Sequence, residues 1–227
     1  MTRIIFTGPK STPLTVALAH GAGAPMDSPY MDAFAEGLAA RGLRCARFEF
    51  PYMAQRRKDG KKRPPNPARV LLETWRAVID EIGPDKLVIG GKSMGGRMAS
   101  MVAADLESEG NPVRGVIGGK SMGGRIASMV ADEAGVAGLV CLGYPFHPPG
   151  KPEKLRTEHL ETLATPTLIC QGARDPFGTT EEVPAYPLSK AIRLEWLEDG
   201  DHGFKPRKAS GRTEQQNWDA ALDAIQA

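Results

Sequence analysis

Two serines in this 227-residue chain occupy the same surroundings. Ser93 lies in Val88–Arg97, VIGGKSMGGR, and Ser121 lies in the identical stretch Val116–Arg125, 28 residues later. Each stretch ends a short apolar run in Gly-Lys-Ser-Met-Gly, the G-x-S-x-G spacing that carries a serine on a tight strand-to-helix turn. A serine hydroxyl is a weak nucleophile until a base takes its proton and a third group orients that base. Later in the chain, Asp175 stands in Gln171-Gly-Ala-Arg-Asp and His202 in Asp199-Gly-Asp-His-Gly, each closing a strand-like run. The order serine, acid, histidine suits acyl transfer. Upstream, His20-Gly-Ala-Gly23 closes another apolar run and offers the backbone N–H groups of Ala22 or Gly23 to a developing oxyanion. Met122 or Met94, next after each serine, offers the second donor.

Identity between the copies continues past the motif. Met98–Ala103 matches Ile126–Ala131 with one change, so the repeat is 88–103 and 116–131. Its offset is about the length of one strand plus one helix. Strands are expected at Arg3–Thr7, Leu14–Ala19, Leu43–Phe50, Lys86–Gly90, Val113–Gly118, Gly138–Gly143, Pro166–Cys170 and Ala191–Leu197. Ser28 and Pro29 signal a helix start that Gly42 stops, and Leu71, Trp75, Val78, Ile79 and Ile82 share one helical face. Further helices are expected at Gly96–Glu109, Gly124–Glu133 and Glu153–Leu163, with a last one capped by Thr213 and Gln216. Arg56–Arg63, with six basic residues in eight, reads as a solvated loop. Apolar strands alternating with amphipathic helices predict an α/β fold: one domain over 1–227, with a mostly parallel sheet flanked by helices on both faces. Chemistry in such a sheet sits beyond the carboxyl ends of its strands.

Composition narrows the function classes. A net charge of +2 gives no field that selects nucleic acid, and the basic run lacks the aromatic partners of a nucleic-acid site. No apolar run reaches bilayer length, so no membrane partner is expected. The opening residues, MTRIIFTGPK, hold no long apolar core of a secretory signal. The three cysteines, Cys45, Cys141 and Cys170, fall in strand-like segments and read as reduced core thiols of a cytoplasmic protein. Nothing calls for a cofactor or a metal. His20 is expected to shape its glycine loop, His147 lies between prolines at a strand end, and His159 is expected to be exposed. Lys92 and Lys120, before the two serines, need no catalytic role.

These motifs together resemble the α/β-hydrolase family, in its small, cap-poor, dienelactone-hydrolase-like form. The resemblance spans nearly the whole chain: AHGAG, GKSMGG, LGYPFHPPGKP, QGARDPFG and GDHGF. It implies an α/β-hydrolase fold, a Ser-His-Asp triad and hydrolysis of a small-molecule carboxylic ester through an acyl-enzyme. Dienelactone hydrolases carry cysteine where this chain has serine, so their substrate does not transfer. The repeated elbow also departs from the family, which has one.

One acid and one histidine serve two elbows. An inserted strand–elbow–helix unit leaves every later strand in the same direction, so both copies can be neighbours in the sheet. Asp175 and His202 then keep their family spacing from Ser121, while the His20–Gly23 loop keeps its relation to Ser93. A triad member displaced by even ~1 Å costs heavily, and a missing oxyanion donor costs about 10²–10³ in rate; weighing the two ranks Ser121 above Ser93 as nucleophile. The alternatives are a scaffold whose site the repeat has broken, a homodimer exchanging the spare unit, and a thioesterase or lactonase using the same site.

Overall fold

The computed structural model describes residues 2–12, 14–84 and 87–227. Its centre is an eight-stranded sheet: β1 (Ile4–Thr7), β2 (Thr15–Ala19), β3 (Arg44–Phe48), β4 (Leu87–Lys92), β5 (Val116–Lys120), β6 (Gly138–Leu142), β7 (Thr167–Gly172) and β8 (Ile192–Leu197). The spatial order is β1-β3-β2-β4-β5-β6-β7-β8, with β1 antiparallel at one edge and all other pairings parallel. Lys86, expected to open the fourth strand, lies outside the described residues.

Among the described residues six α-helices accompany the strands: α1 (Pro29–Ala40), α2 (Pro51–Asp59), α3 (Ala68–Ile82), α4 (Met94–Ser108), α5 (Met122–Val130) and, after the last strand, α6 (Glu214–Gln226). One core lies against α3, α4 and α5 and includes Trp75, Ile89, Val102, Ile117 and Leu139. The other lies against α1 and α6 and includes Phe34, Leu38, Cys170, Leu197 and Leu222. Strand alternation divides the two: Ile89 serves the first, and Val88 packs with the second.

Both copies of the repeat are in the sheet, side by side. Ile89 pairs with Ile117, Gly90 with Gly118, Gly91 with Gly119 and Lys92 with Lys120. These four residues of the first copy thus each pair with their own equivalent. The helices that follow pack against one another through glycine. A Cβ on Gly123 would stand 3.0 Å from the Ser93 carbonyl oxygen and 3.1 Å from the Gly96 Cα. The near-identical units approach this closely because their glycines carry no side chain.

Two expectations are corrected. Arg56–Arg63 is not a loop throughout: its first part belongs to α2, which buries only Tyr52 and Met53 and sends its basic residues outward. The Asn66 carboxamide oxygen accepts from Tyr52 N–H at 2.8 Å near its start. Glu153–Leu163 forms only a short 3₁₀ turn at Glu158–Leu160. There the Arg156 N–H is drawn to the Phe146 carbonyl at 2.7 Å, and His159 turns inward. Helix α1 starts at Pro29 as expected, but Ser28 makes no side-chain capping bond. At α6 the Thr213–Gln216 capping box is present. The three cysteines are free and buried, and burial raises the pKa of each thiol.

Candidate active site

Each elbow serine follows a strand and caps the next helix. Ser93 has φ 50° and ψ −109°, and Ser121 has φ 58° and ψ −125°. Non-glycine residues held in such rare conformations cost about 1–3 kcal/mol each. The surrounding structure enforces both turns. The Ser93 N–H donates to the Lys120 carbonyl at 3.0 Å, and the Ser121 N–H to the Leu142 carbonyl at 2.9 Å. The helix then folds back over its own strand: a Cβ on Gly119 would stand 2.6 Å from the Gly123 carbonyl carbon.

The surroundings of the two serines differ. The Ser121 hydroxyl lies 2.9 Å from His202 Nε2, and His202 Nδ1 lies 2.8 Å from Asp175 Oδ2. A carboxylate can only accept, so Nδ1 carries the proton and Nε2 accepts from the Ser121 hydroxyl. Ser93 makes no hydrogen bond to a histidine among the described residues. The strand order accounts for this, because β5 separates Ser93 from the strands that carry Asp175 and His202.

Asp175 is fully buried after β7, and its Oδ1 accepts from Phe177 N–H at 2.9 Å. The Phe177 ring packs over the His202 ring at 4.4 Å between centroids. His202 follows β8 in a loop tied down from three sides. The Asn217 carboxamide of α6 donates to the carbonyls of Glu198 and Phe204 at 3.0 and 2.8 Å. Asp201 Oδ1 accepts from Gly203 N–H at 2.7 Å. The Lys120 ammonium donates to the His202 carbonyl itself at 2.5 Å. Burial pushes the Lys120 pKa down to about 8. Lys120, Phe177 and Asn217 were not singled out from sequence for this site; Lys120 in particular has a twin, Lys92, that does not share its contact.

The His20–Gly23 loop stands over the first elbow. A Cβ on Gly95 would meet the carbonyl oxygens of Ala19 and His20 at 2.5 Å. The Tyr52 hydroxyl donates to the Ala22 carbonyl at 3.0 Å, and the Arg56 guanidinium to that of Gly23 at 3.3 Å. His20 itself is buried. Its Nδ1–H donates to the Gly21 carbonyl at 2.7 Å, and its Nε2 accepts from Phe50 N–H at 3.2 Å. Both ring nitrogens are used, and burial lowers the pKa.

Met94 and Met122 open α4 and α5, so their N–H groups have no carbonyl partner within the helix. His147 is buried, with Nδ1 2.9 Å from the Pro148 carbonyl and Nε2 3.5 Å from Glu182. His159, expected to be exposed, is instead half-buried with Nε2 2.8 Å from the Ser128 hydroxyl. That pair lies at the far end of α5 from the elbow and contacts the Tyr144 hydroxyl at 3.3 Å. The Ser121–His202–Asp175 arrangement can withdraw a hydroxyl proton as its oxygen attacks a carbonyl carbon. Among the described residues no cluster of His, Cys, Asp and Glu suited to a metal ion is present. No helix of the described residues is long and apolar enough to cross a membrane.

Comparison with known proteins agrees with the fold. The family described as "Alpha/beta hydrolase domain" matches residues 12–116 and 108–227, one elbow in each stretch. The quorum-quenching protein AidA of Acinetobacter baumannii is 34% identical over 101 residues, covering 42% of this chain and 32% of that protein. Among solved structures, an alpha-beta serine hydrolase homologue from Coxiella burnetii superposes with a TM-score of 0.57 at 19% identity, covering 98% of this chain and 90% of that one. Dienelactone hydrolase from Anabaena variabilis gives 0.55 at 20% identity, with 99% and 87% covered. Est1E from Butyrivibrio proteoclasticus, bound to ferulic acid, gives 0.55 at 14%, with 99% and 94% covered.

Proposed function

The chain belongs to the alpha/beta-hydrolase family, and on that footing we propose that it cleaves small carboxylic esters through an acyl-enzyme formed on Ser121. The reading rests on one observation: of the two elbow serines, Ser121 is the one hydrogen-bonded to His202, which in turn holds Asp175. His202 Nε2 takes the hydroxyl proton as the Ser121 oxygen bonds to the carbonyl carbon. The tetrahedral intermediate then collapses, and the leaving alcohol takes that proton from His202. A water, deprotonated by His202, attacks the acyl-enzyme, and the acid departs as Ser121 recovers its proton. Asp175 keeps the ring in the tautomer that leaves Nε2 free and stabilises the imidazolium.

The negative oxygen of the intermediate needs donors. The Met122 N–H is one, at the positive end of α5. Ala22 and Gly23 flank the first elbow, so they do not stand beside Ser121 as a family member's loop would. The second donor falls to the first elbow, whose Met94 N–H and Ser93 hydroxyl lie about one strand spacing, ~4.8 Å, away. The first copy thus takes over the place of the oxyanion loop.

A fluorophosphonate probe followed by peptide mapping tests the proposal. Label on Ser121 is expected; label on Ser93 alone, or on neither serine, sinks it. A second reading follows from the displaced His20–Gly23 loop, which leaves the Ser121 elbow without its family donors. In that reading the chain is a non-catalytic interaction protein. It predicts no turnover of p-nitrophenyl acetate or butyrate by a protein that still melts cooperatively.

A further inference from the structure

The inserted strand widens the sheet, and only one of its faces receives an extra helix. Helix α5 covers the new strand on the α3–α4 side. On the other face, α1 packs on β3 and β1, and α6 packs on β7 and β8. Two helices of about 10 Å diameter cannot cover seven parallel strands about 4.8 Å apart. The middle of the sheet also has little to offer: Gly90 pairs with Gly118 there and neither fills the gap. A cavity of about 180 Å³ results, floored by Val88, Gly90, Gly118 and Val140 and roofed by Phe34 and Ile225.

One end of this apolar cavity is positively charged. Lys92 and Lys120 line it, and both ammonium groups gather round the Tyr30 ring, at 5.1 and 6.0 Å from its centroid. Lys120 is 6% exposed. Among the described residues no carboxylate is within ion-pair distance of either ammonium. Lys120 is enclosed with only the His202 carbonyl as its hydrogen-bond partner among the described residues, and Lys92 beside it is half-buried. Holding that charge without a carboxylate is costly, and an anion supplied from outside would offset the cost.

We infer that the cavity binds a medium-chain fatty carboxylate, its chain between the sheet and α1/α6 and its carboxylate at Lys92 and Lys120. The tail enters past Lys92, which is half-buried where Lys120 is enclosed. An apolar cavity of ~150 Å³ accepts benzene, so the volume here suits a chain of six to eight carbons. The site lies under the sheet and meets the His202 loop at Lys120, but binding there does not require that the ester be hydrolysed.

Calorimetric titration of the full chain with butanoate, hexanoate and octanoate tests it, and no readout uses catalysis. Each added methylene should tighten binding about fourfold, roughly 200-fold from butanoate to octanoate. Lys92→Met should weaken octanoate at least tenfold, and Val88→Phe should abolish binding by filling the cavity. No octanoate binding by the wild type, equal binding of 1-octanol, or unchanged affinity in Lys92→Met would overturn the assignment. If Val88→Phe does not fold, a crystal grown with 8-bromooctanoate decides. Bromine density under β4 and β5 supports the site, and density only beside Ser121 overturns it.

Discussion

Replacing Lys120 with methionine should change how stability depends on pH, in a direction the structure fixes. The Lys120 side chain is buried, and that burial pushes its pKa from 10.5 to about 8; Asp175 opposes the shift, Lys92 adds a smaller repulsion, and Asp201 attracts more weakly still. Stability rises with pH wherever the unfolded chain binds more protons. Below about pH 8 Lys120 is charged in both states, and its full destabilisation is present. Between pH 8 and 10.5 the unfolded chain keeps the proton and the folded one releases it, so the penalty is relieved. A shift of this size is worth about 3 kcal/mol. Methionine fills the same space without a charge. It also leaves the His202 carbonyl without its ammonium donor, at a cost of about 1–3 kcal/mol that does not vary with pH. The stability of Lys120→Met relative to wild type should therefore fall by about 3 kcal/mol from pH 7.5 to 10.5. Urea denaturation of both proteins at half-unit pH steps measures this, since other titrations cancel in the difference. A difference that stays flat, or that rises with pH, would refute the reasoning.

Asp175→Asn should lower kcat for p-nitrophenyl butyrate by about 10⁴-fold with little change in KM, because the amide stabilises the wrong tautomer of His202. Steady-state kinetics read this directly. Gly123→Ala should destabilise the fold by about 1–3 kcal/mol by pressing a methyl against the Ser93 carbonyl, 3.0 Å away; denaturant midpoints check it. His20 has its pKa lowered by burial, so it contributes stability that is lost as pH falls through 6.5. His20→Gln should flatten that acid-side loss between pH 7 and 5 in the same denaturation assay. Trp75→Ala, at a fully buried ring whose N–H reaches the Gly95 carbonyl at 3.3 Å, should cost about 3–5 kcal/mol.

Much of the fold is legible in the chain because its strands are short apolar runs closed by glycine or proline. The six parallel strands from β2 to β7 bury most of their residues and expose none fully, so such runs do not read as surface. Helix α2 escaped because only Tyr52 and Met53 are buried in it, so no periodic apolar face marks it among the basic residues. Glu153–Leu163 misled in the other direction. Its residues suit a helix, but Arg156 and His159 bond to Phe146 and Ser128 in the tertiary structure, and those bonds outweigh local propensity. The residues of the candidate site are legible as chemistry at strand ends. Which serine meets His202 is not written in either motif, since the two are identical. It follows from strand order, which places β5 between β4 and the later strands. The cavity beneath the sheet is not legible at all. It depends on how α1 and α6 share a face that the repeat widened.

The central claim is that two identical elbows have become unequal by position alone. Hydrolysis of p-nitrophenyl butyrate by Ser93→Ala, Ser121→Ala and the double variant tests it most directly. Ser121→Ala should fall to the rate of the double variant. Ser93→Ala should keep a measurable fraction of wild-type kcat, reduced by no more than the ~10²–10³ that a lost oxyanion donor costs. Full activity in Ser121→Ala together with none in Ser93→Ala would contradict the account.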